Sequence, residues 1–190
     1  MINNYFDSET YSKIDFTKTK IKKGEYDNCT FTNCNFENVH ASNIQFLACE
    51  FIDCNFSNTI LKDTAFKDVQ FYNCKMIGVK FNECDPFLLQ MTFKECQLNF
   101  SSFYQLKIPK TTFIHCNLQE VDFTETNLSN CFFDYCDLKN TIFENVNLEK
   151  GNFITSMNFS INPEINRLKG AKFSKENVMG LLQKYGILVE

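Results

Sequence analysis

The stretch Cys29-Thr30-Phe31-Thr32-Asn33-Cys34-Asn35-Phe36, CTFTNCNF, places two cysteines five residues apart, each two residues ahead of a phenylalanine. The same spacing returns at Cys49/Cys54 and Cys131/Cys136. It reads either as a thiol framework for metal or disulfides, or as a repeat. Steps of five from Phe16 decide between them. They land on Ile21, Tyr26, Phe31, Phe36, Ala41, Phe46, Phe51, Phe56, Leu61, Phe66, Phe71, Met76 and Phe81, apolar throughout and large except at Ala41. The count breaks across Asp85–Gln90 and resumes two residues out of phase at Phe93, continuing through Leu98, Phe103, Ile108 and Phe113 to Phe153.

Two residues before each of these centres sits a smaller side chain, and all 10 cysteines fall on that position or its continuation at Cys84. A 3.6-residue helical period would carry every fifth residue around the helix, and a strand period of two would put alternate centres on opposite faces. A period of five instead fits a chain that turns a corner once per repeat, so that four repeats close a square of twenty residues. The centre and the small residue before it then point inward, and the remaining positions, rich in Asn, Asp, Glu, Lys, Ser and Thr, point to solvent. Stacked cysteines project in parallel, whereas a disulfide needs converging Cβ vectors and zinc needs converging thiolates. Buried thiols of small volume are expected, and no metal or cofactor.

The pattern A(D/N)LXX, carried by NCNFENV, DCNFSNT, ECQLNFS, HCNLQEV and YCDLKNT, resembles the pentapeptide-repeat family over about residues 14–156. The resemblance implies an all-β fold, a right-handed quadrilateral β-helix. Roughly seven coils spaced about 4.8 Å apart make a rod about 33 Å long.

With 190 residues the chain suits one core, and its 22 Phe with few Gly and Pro argue against disorder. The net charge of -4 disfavours a direct grip on nucleic acid. No run approaches the length needed to span a bilayer, so no membrane association is expected. MINNYFDSETYSKIDF lacks the basic start and apolar run of a secretion signal, and a cytoplasmic protein with reduced thiols is expected. His40 and His115 stand alone on solvent-type positions, with no serine or cysteine placed to use them, and no phosphate loop or H-E-x-x-H occurs. An enzyme is not expected.

Charge is uneven along the chain. Residues 117–150 carry seven carboxylates, Glu120, Asp122, Glu125, Asp134, Asp137, Glu144 and Glu149, against Lys139 and Lys150. They read either as a solvated surface or as an anionic face for a basic partner. Residues 13–23 carry Lys13, Lys18, Lys20, Lys22 and Lys23 against Asp15. In the break, Phe87, Leu88 and Leu89 either fold inward or form a small contact loop.

Residues 1–173 read as the solenoid, irregular near 85–92, and 174–190 as a capping or dimerisation segment. Ser174 as N-cap, then Val178, Leu181, Leu182 and Tyr185 at helical spacing, predict a short α-helix stopped by Gly186. Leu168–Phe173 (LKGAKF) and Leu181–Val189 (LLQKYGILV) are similar to the C-terminus of the Qnr quinolone-resistance group within the pentapeptide-repeat family. There the segment forms a homodimer, which would make Val178, Leu181, Leu182, Tyr185, Ile187 and Leu188 its interface. The resemblance also implies a noncatalytic protein that mimics duplex DNA and binds type II DNA topoisomerase, chiefly gyrase, protecting it from quinolones. Qnr proteins of the best-known group carry two longer loops where this chain has one short break, and loop-free relatives also bind gyrase but can inhibit rather than protect it. Fold alone does not fix a partner, and a scaffold rod with an unrelated partner is the alternative.

Overall fold

The computed structural model describes residues 4–187. Its strands are short and lie on two sides of a four-sided coil. The first side stacks β1 (Asn4–Asp7), β3 (Gly24–Asp27), β5 (Gln45–Leu47) and β7 (Ala65–Lys67). The second stacks β2 (Thr10–Ser12), β4 (Thr30–Thr32), β6 (Glu50–Ile52), β8 (Val69–Tyr72), β9 (Met91–Lys94), β10 (Thr112–Ile114) and β11 (Phe132–Asp134). Single parallel bridges carry the other two sides: Asp15–Asn35–Asn55–Lys75–Gln97–Asn117–Asp137–Met157 on the third, and His40–Ile60 and Lys80–Ser102–Asp122–Ile142 on the fourth. Every pairing is parallel, because each turn climbs the same way and meets the turn before it in register. The fold is the four-sided β-helix that the five-residue period requires.

The corners explain the abundance of Asn and Asp. Two residues after most centres the backbone turns through a positive φ, as at Asn33 (55°), Asn38 (56°), Asp53 (55°), Asn58 (54°) and Asp63 (57°). This left-handed conformation is costly for most side chains and mildest for Asn and Asp, which hydrogen-bond locally. Asn at the position before a centre serves another turn: Asn55 Oδ1 accepts from the Ser57 N–H at 3.0 Å, and Asn117 Oδ1 from the Gln119 N–H at 3.1 Å.

The centres fill the rod. On the second side the rings form one column: Tyr11 stacks on Phe31 at 4.6 Å, Phe31 on Phe51 at 4.8 Å, Phe51 on Phe71 at 5.2 Å and Phe71 on Phe93 at 5.3 Å. The column continues from Phe93 through Phe113, Phe133 and Phe153 to Phe173. Rings of neighbouring sides meet these edge-on, as Phe103 meets Phe113 at 87°. Both arrangements suit the aromatic quadrupole and add to the burial of the apolar area.

The cysteines do more than fill space. All ten are free and buried. Cys34, Cys54, Cys74, Cys96, Cys116 and Cys136 form one uninterrupted column, since Lys75–Gln97 pairing spans the break. Each thiol points at the carbonyl of the centre one turn earlier: Cys54 Sγ lies 3.4 Å from the Phe31 oxygen and Cys74 Sγ 3.4 Å from that of Phe51. In other repeats Thr59, Thr64, Thr126 and Thr141 donate a hydroxyl to the equivalent carbonyl at 2.6–2.8 Å. The position takes a small side chain: where that is Cys or Thr in these repeats, or Ser156 in another, it also donates to the carbonyl, whereas Val39, Val69, Val79, Val121 and Val146 only fill the space and the Ser101 hydroxyl has no partner.

At the break the strand partners change from twenty to twenty-two residues apart, Phe51 to Phe71 but Phe71 to Phe93. The two extra residues are absorbed in a bulge after a 3-10 turn at Phe81–Glu83. Leu89 turns into the core, while Phe87 and Leu88 are 65% and 66% exposed. Asp85 Oδ1 accepts from the Phe87 N–H at 2.9 Å, Leu88 takes the positive-φ corner, and Lys67 Nζ sits 5.7 Å from the Phe87 ring centre.

The expected C-terminal α-helix is not formed. Val178–Leu181 and Gln183–Tyr185 are separate 3-10 turns. Gly180 is pressed on Phe159, where an added Cβ would come within 2.4 Å of the ring, and its carbonyl accepts from the Ile161 N–H at 2.9 Å. Asn177 Nδ2 is drawn down to the carbonyls of Phe153 and Ser156 at 2.8 and 3.0 Å. A segment this short gains little from helical hydrogen bonds of its own, and a central Gly weakens it further. Contacts with the open coil end decide its shape. Ser174 and Asn177 cap each other reciprocally, at 2.9 and 3.2 Å, and Gly186 ends the last turn at φ 59°.

Candidate functional site

The outer surface is set by the positions flanking each centre, so a residue's side of the rod follows from its number. The seven carboxylates of residues 117–150 do not share one side. Asp134 lies on the second side beside Phe133, Asp137 on the third, and Glu149 on the first beside Leu148. The other four gather around the fourth side: Asp122 and Glu144 flank its centres Phe123 and Phe143, while Glu120 and Glu125 occupy the corners at either edge at φ 59° and 56°.

Local partners hold these groups without neutralising them. Glu120 accepts from Asn140 Nδ2 at 2.6 Å, Glu125 from Gln105 Nε2 at 2.7 Å, and Asp122 from the Thr124 N–H at 2.9 Å. Asp134 accepts from the Thr155 hydroxyl at 2.8 Å. Among the described residues Glu149 alone of the seven makes an ion pair, with Arg167 at 3.0 Å. Partial burial would raise the Asp137 carboxyl, but hydrogen bonds from Asn158 (2.8 Å) and Gln119 (2.6 Å) outweigh it and hold the group below the usual range. The result is a compact anionic patch at Glu120, Asp122, Glu125 and Glu144, with three further carboxylates scattered around the rod.

The predicted interface residues also part company. Leu181 packs on the core and Leu182 is half-buried, whereas Val178, Tyr185 and Ile187 are exposed at the end of the rod near Ile165. Leu188 lies outside the described residues. Tyr185 donates to Glu164 at 2.8 Å, and Lys184 pairs with the same carboxylate. In the bulge, Leu88 lines an open groove together with Leu89, Met91 and Pro109.

His115 stacks on Tyr135 at 5.1 Å, and His40 lines a shallow depression with Lys18, Lys20 and Glu37. Among the described residues no three His, Cys, Asp or Glu side chains converge as a metal site. Burial pushes the Cys49 and Cys131 thiols up to about 12, which leaves them protonated and unreactive. Among the same residues no helix is long and apolar enough to cross a membrane.

A parallel four-sided coil with a Phe column, left-handed corners and a small inward side chain before each centre defines a pentapeptide-repeat solenoid. The chain belongs to that family: the model for the pentapeptide repeat region matches residues 25–87 and 79–153. No curated protein sequence matches the chain. Among solved structures, a trypsin-treated variant of QnrB1, described as a plasmid-mediated fluoroquinolone resistance protein, superposes with a TM-score of 0.73 at 13% identity, over 98% of this chain and 92% of that one. A second trypsin-treated QnrB1 variant gives a TM-score of 0.65 at 14% identity, over 98% of this chain and 100% of the other. At these identities the likeness is one of fold.

Proposed function

We propose that this protein is a noncatalytic binding rod that engages the DNA-binding region of a type II DNA topoisomerase through its anionic fourth side. The observation that carries this reading is the grouping of Glu120, Asp122, Glu125 and Glu144 on one stretch of a rigid, regularly spaced surface, with none of the four in an ion pair among the described residues. A basic saddle shaped for duplex DNA is complementary to such a surface in sign and form. The likeness to Qnr proteins in sequence motifs and in fold supports the choice of enzyme. Duplex DNA carries one charge per about 1.7 Å, so a chain of net charge -4 is a weak copy overall and relies on the local patch. The exposed Val178, Tyr185 and Ile187 at the C-terminal end offer the contact for an end-to-end homodimer, which would double the rod to about 70 Å.

The test is gyrase supercoiling with and without a quinolone. The purified protein is expected to reduce supercoiling or to rescue it from the drug, and Asp122→Asn/Glu125→Gln/Glu144→Gln to weaken that effect. No effect in either arm at micromolar concentration, with the enzyme of the same cell, would refute the reading and leave a scaffold rod with another partner.

A further inference from the structure

The fourth side is charged in opposite senses along its length. In the first half, Lys20 and Lys22 flank Ile21, Lys62 follows Leu61 and Lys80 precedes Phe81, all exposed. In the second half come Asp122 and Glu144. The acids of the first half are displaced from this side: Asp63 sits on its corner, and Glu83 turns to Lys80 at 3.8 Å. Three exposed apolar side chains interrupt the charges, Ile60 (37%), Tyr104 (37%) and Ile142 (42%).

We propose that this side is a self-complementary contact through which two copies pair antiparallel, about a two-fold axis passing beside Tyr104. The register follows from the bridges and from the twenty-residue spacing of the centres. Lys80, Ser102 and Asp122 are successive rungs at the position before each centre, with Ile142 one rung beyond Asp122. Ile60 lies one rung below Lys80, because Leu61 is twenty residues before Phe81 in the same stack. A two-fold at the Ser102–Tyr104 rung, perpendicular to the rod and in the plane of contact, keeps each lateral position and reverses the order of rungs. Lys80 then faces Asp122 of the second copy, one rung either side of the axis. Two rungs out, Ile60 faces Ile142 of the second copy, and Lys62, after its centre, faces Glu144, after its own. Tyr104 meets its own copy on the axis. One operation thus places both cations on anions and both isoleucines on each other, the self-complementarity an isologous interface needs. The paired state covers Asp122 and Glu144, so it competes with any basic partner of that patch.

The experiment is sedimentation velocity on the full chain carrying Val178→Glu and Ile187→Glu, which removes the proposed end-to-end contact and leaves the fourth side intact. In this background the chain is expected to dimerise at low salt and to dissociate at about 0.5 M salt, where charges a few ångströms apart are screened. Lys62→Glu/Lys80→Glu and Asp122→Lys/Glu144→Lys should each raise the dissociation constant about tenfold or more, since each sets like charges opposite one another. An equimolar mixture of the two variants should restore a dimer, because the fully acidic side of one then faces the fully basic side of the other. That rescue excludes misfolding as the cause of the single losses. A monomer at every salt concentration, or two variants that do not recombine, would overturn the proposal. The readout is assembly alone, so either result leaves the topoisomerase reading to its own assay.

Discussion

Phe113→Ala removes one ring from the middle of the aromatic column. Phe113 is fully buried, stacked on Phe93 at 5.2 Å and on Phe133 at 4.9 Å, with Phe103 and Phe123 edge-on at 6.0 and 5.9 Å. Each neighbour is fixed by backbone pairing to the turns above and below, so the walls cannot collapse into the space left behind. The expected cost is therefore at the upper end of the range for such truncations, about 4–5 kcal/mol. The same change at Phe173, half-buried at the end of the column and stacked only on Phe153 from below, should cost about half as much. Because a solenoid residue touches only adjacent turns, Phe113→Ala should couple to Phe133→Ala by about 0.5–3 kcal/mol. Together with Phe51→Ala it should add within about 0.5 kcal/mol. Denaturant unfolding of the single and double variants measures all four quantities. A loss below about 1 kcal/mol at Phe113, or strong coupling to Phe51, would refute the column as the source of stability.

Thr126→Val removes the 2.8 Å hydroxyl bond to the Phe103 carbonyl at nearly constant volume, and should cost about 1 kcal/mol in the same unfolding assay. The Cys49 and Cys131 thiols, pushed up to about 12, keep their protons in the folded chain after the unfolded chain has lost them above about pH 9. The stability these two thiols contribute is therefore fully present below pH 9 and is lost as pH rises towards 12, and thiol reagents should label them only as the protein unfolds. Gly180→Ala drives a methyl into the Phe159 ring and should release residues 174–187 from the coil end. Faster hydrogen exchange there and a loss of about 1–3 kcal/mol are expected, with exchange in β4 and β6 unchanged.

The period of five made the solenoid legible because every coil repeats the same inward pair, and the interruption at Asp85–Gln90 showed as a phase shift of two. Three features were not read from the sequence, each for a physical reason. The donor role of the small position was hidden because Cys, Thr and Val share a volume, and only Sγ and Oγ distances to the carbonyls separate filling from hydrogen bonding. The C-terminal helix was expected from a helical stripe, but the stripe has no weight against the contacts of Gly180 and Asn177 with the coil end. The acids looked like one face because they are close in sequence. In a four-sided coil, residues five apart lie on adjacent sides and residues twenty apart share one, so Asp122 belongs with Glu144's side and Asp134 does not. The bulge divided in the same way, with Leu89 inward and Phe87 and Leu88 outward.

Direct competition for gyrase bears most closely on the account. Immobilised protein should capture gyrase in the absence of DNA, and added linear duplex should release the enzyme in proportion to its occupancy of the DNA site. Asp122→Asn/Glu125→Gln/Glu144→Gln should weaken capture by about tenfold or more, while Asp134→Asn on the second side changes it little. Capture that duplex DNA leaves untouched, or no capture at all, would contradict the claim that the rod's anionic side occupies the place of DNA.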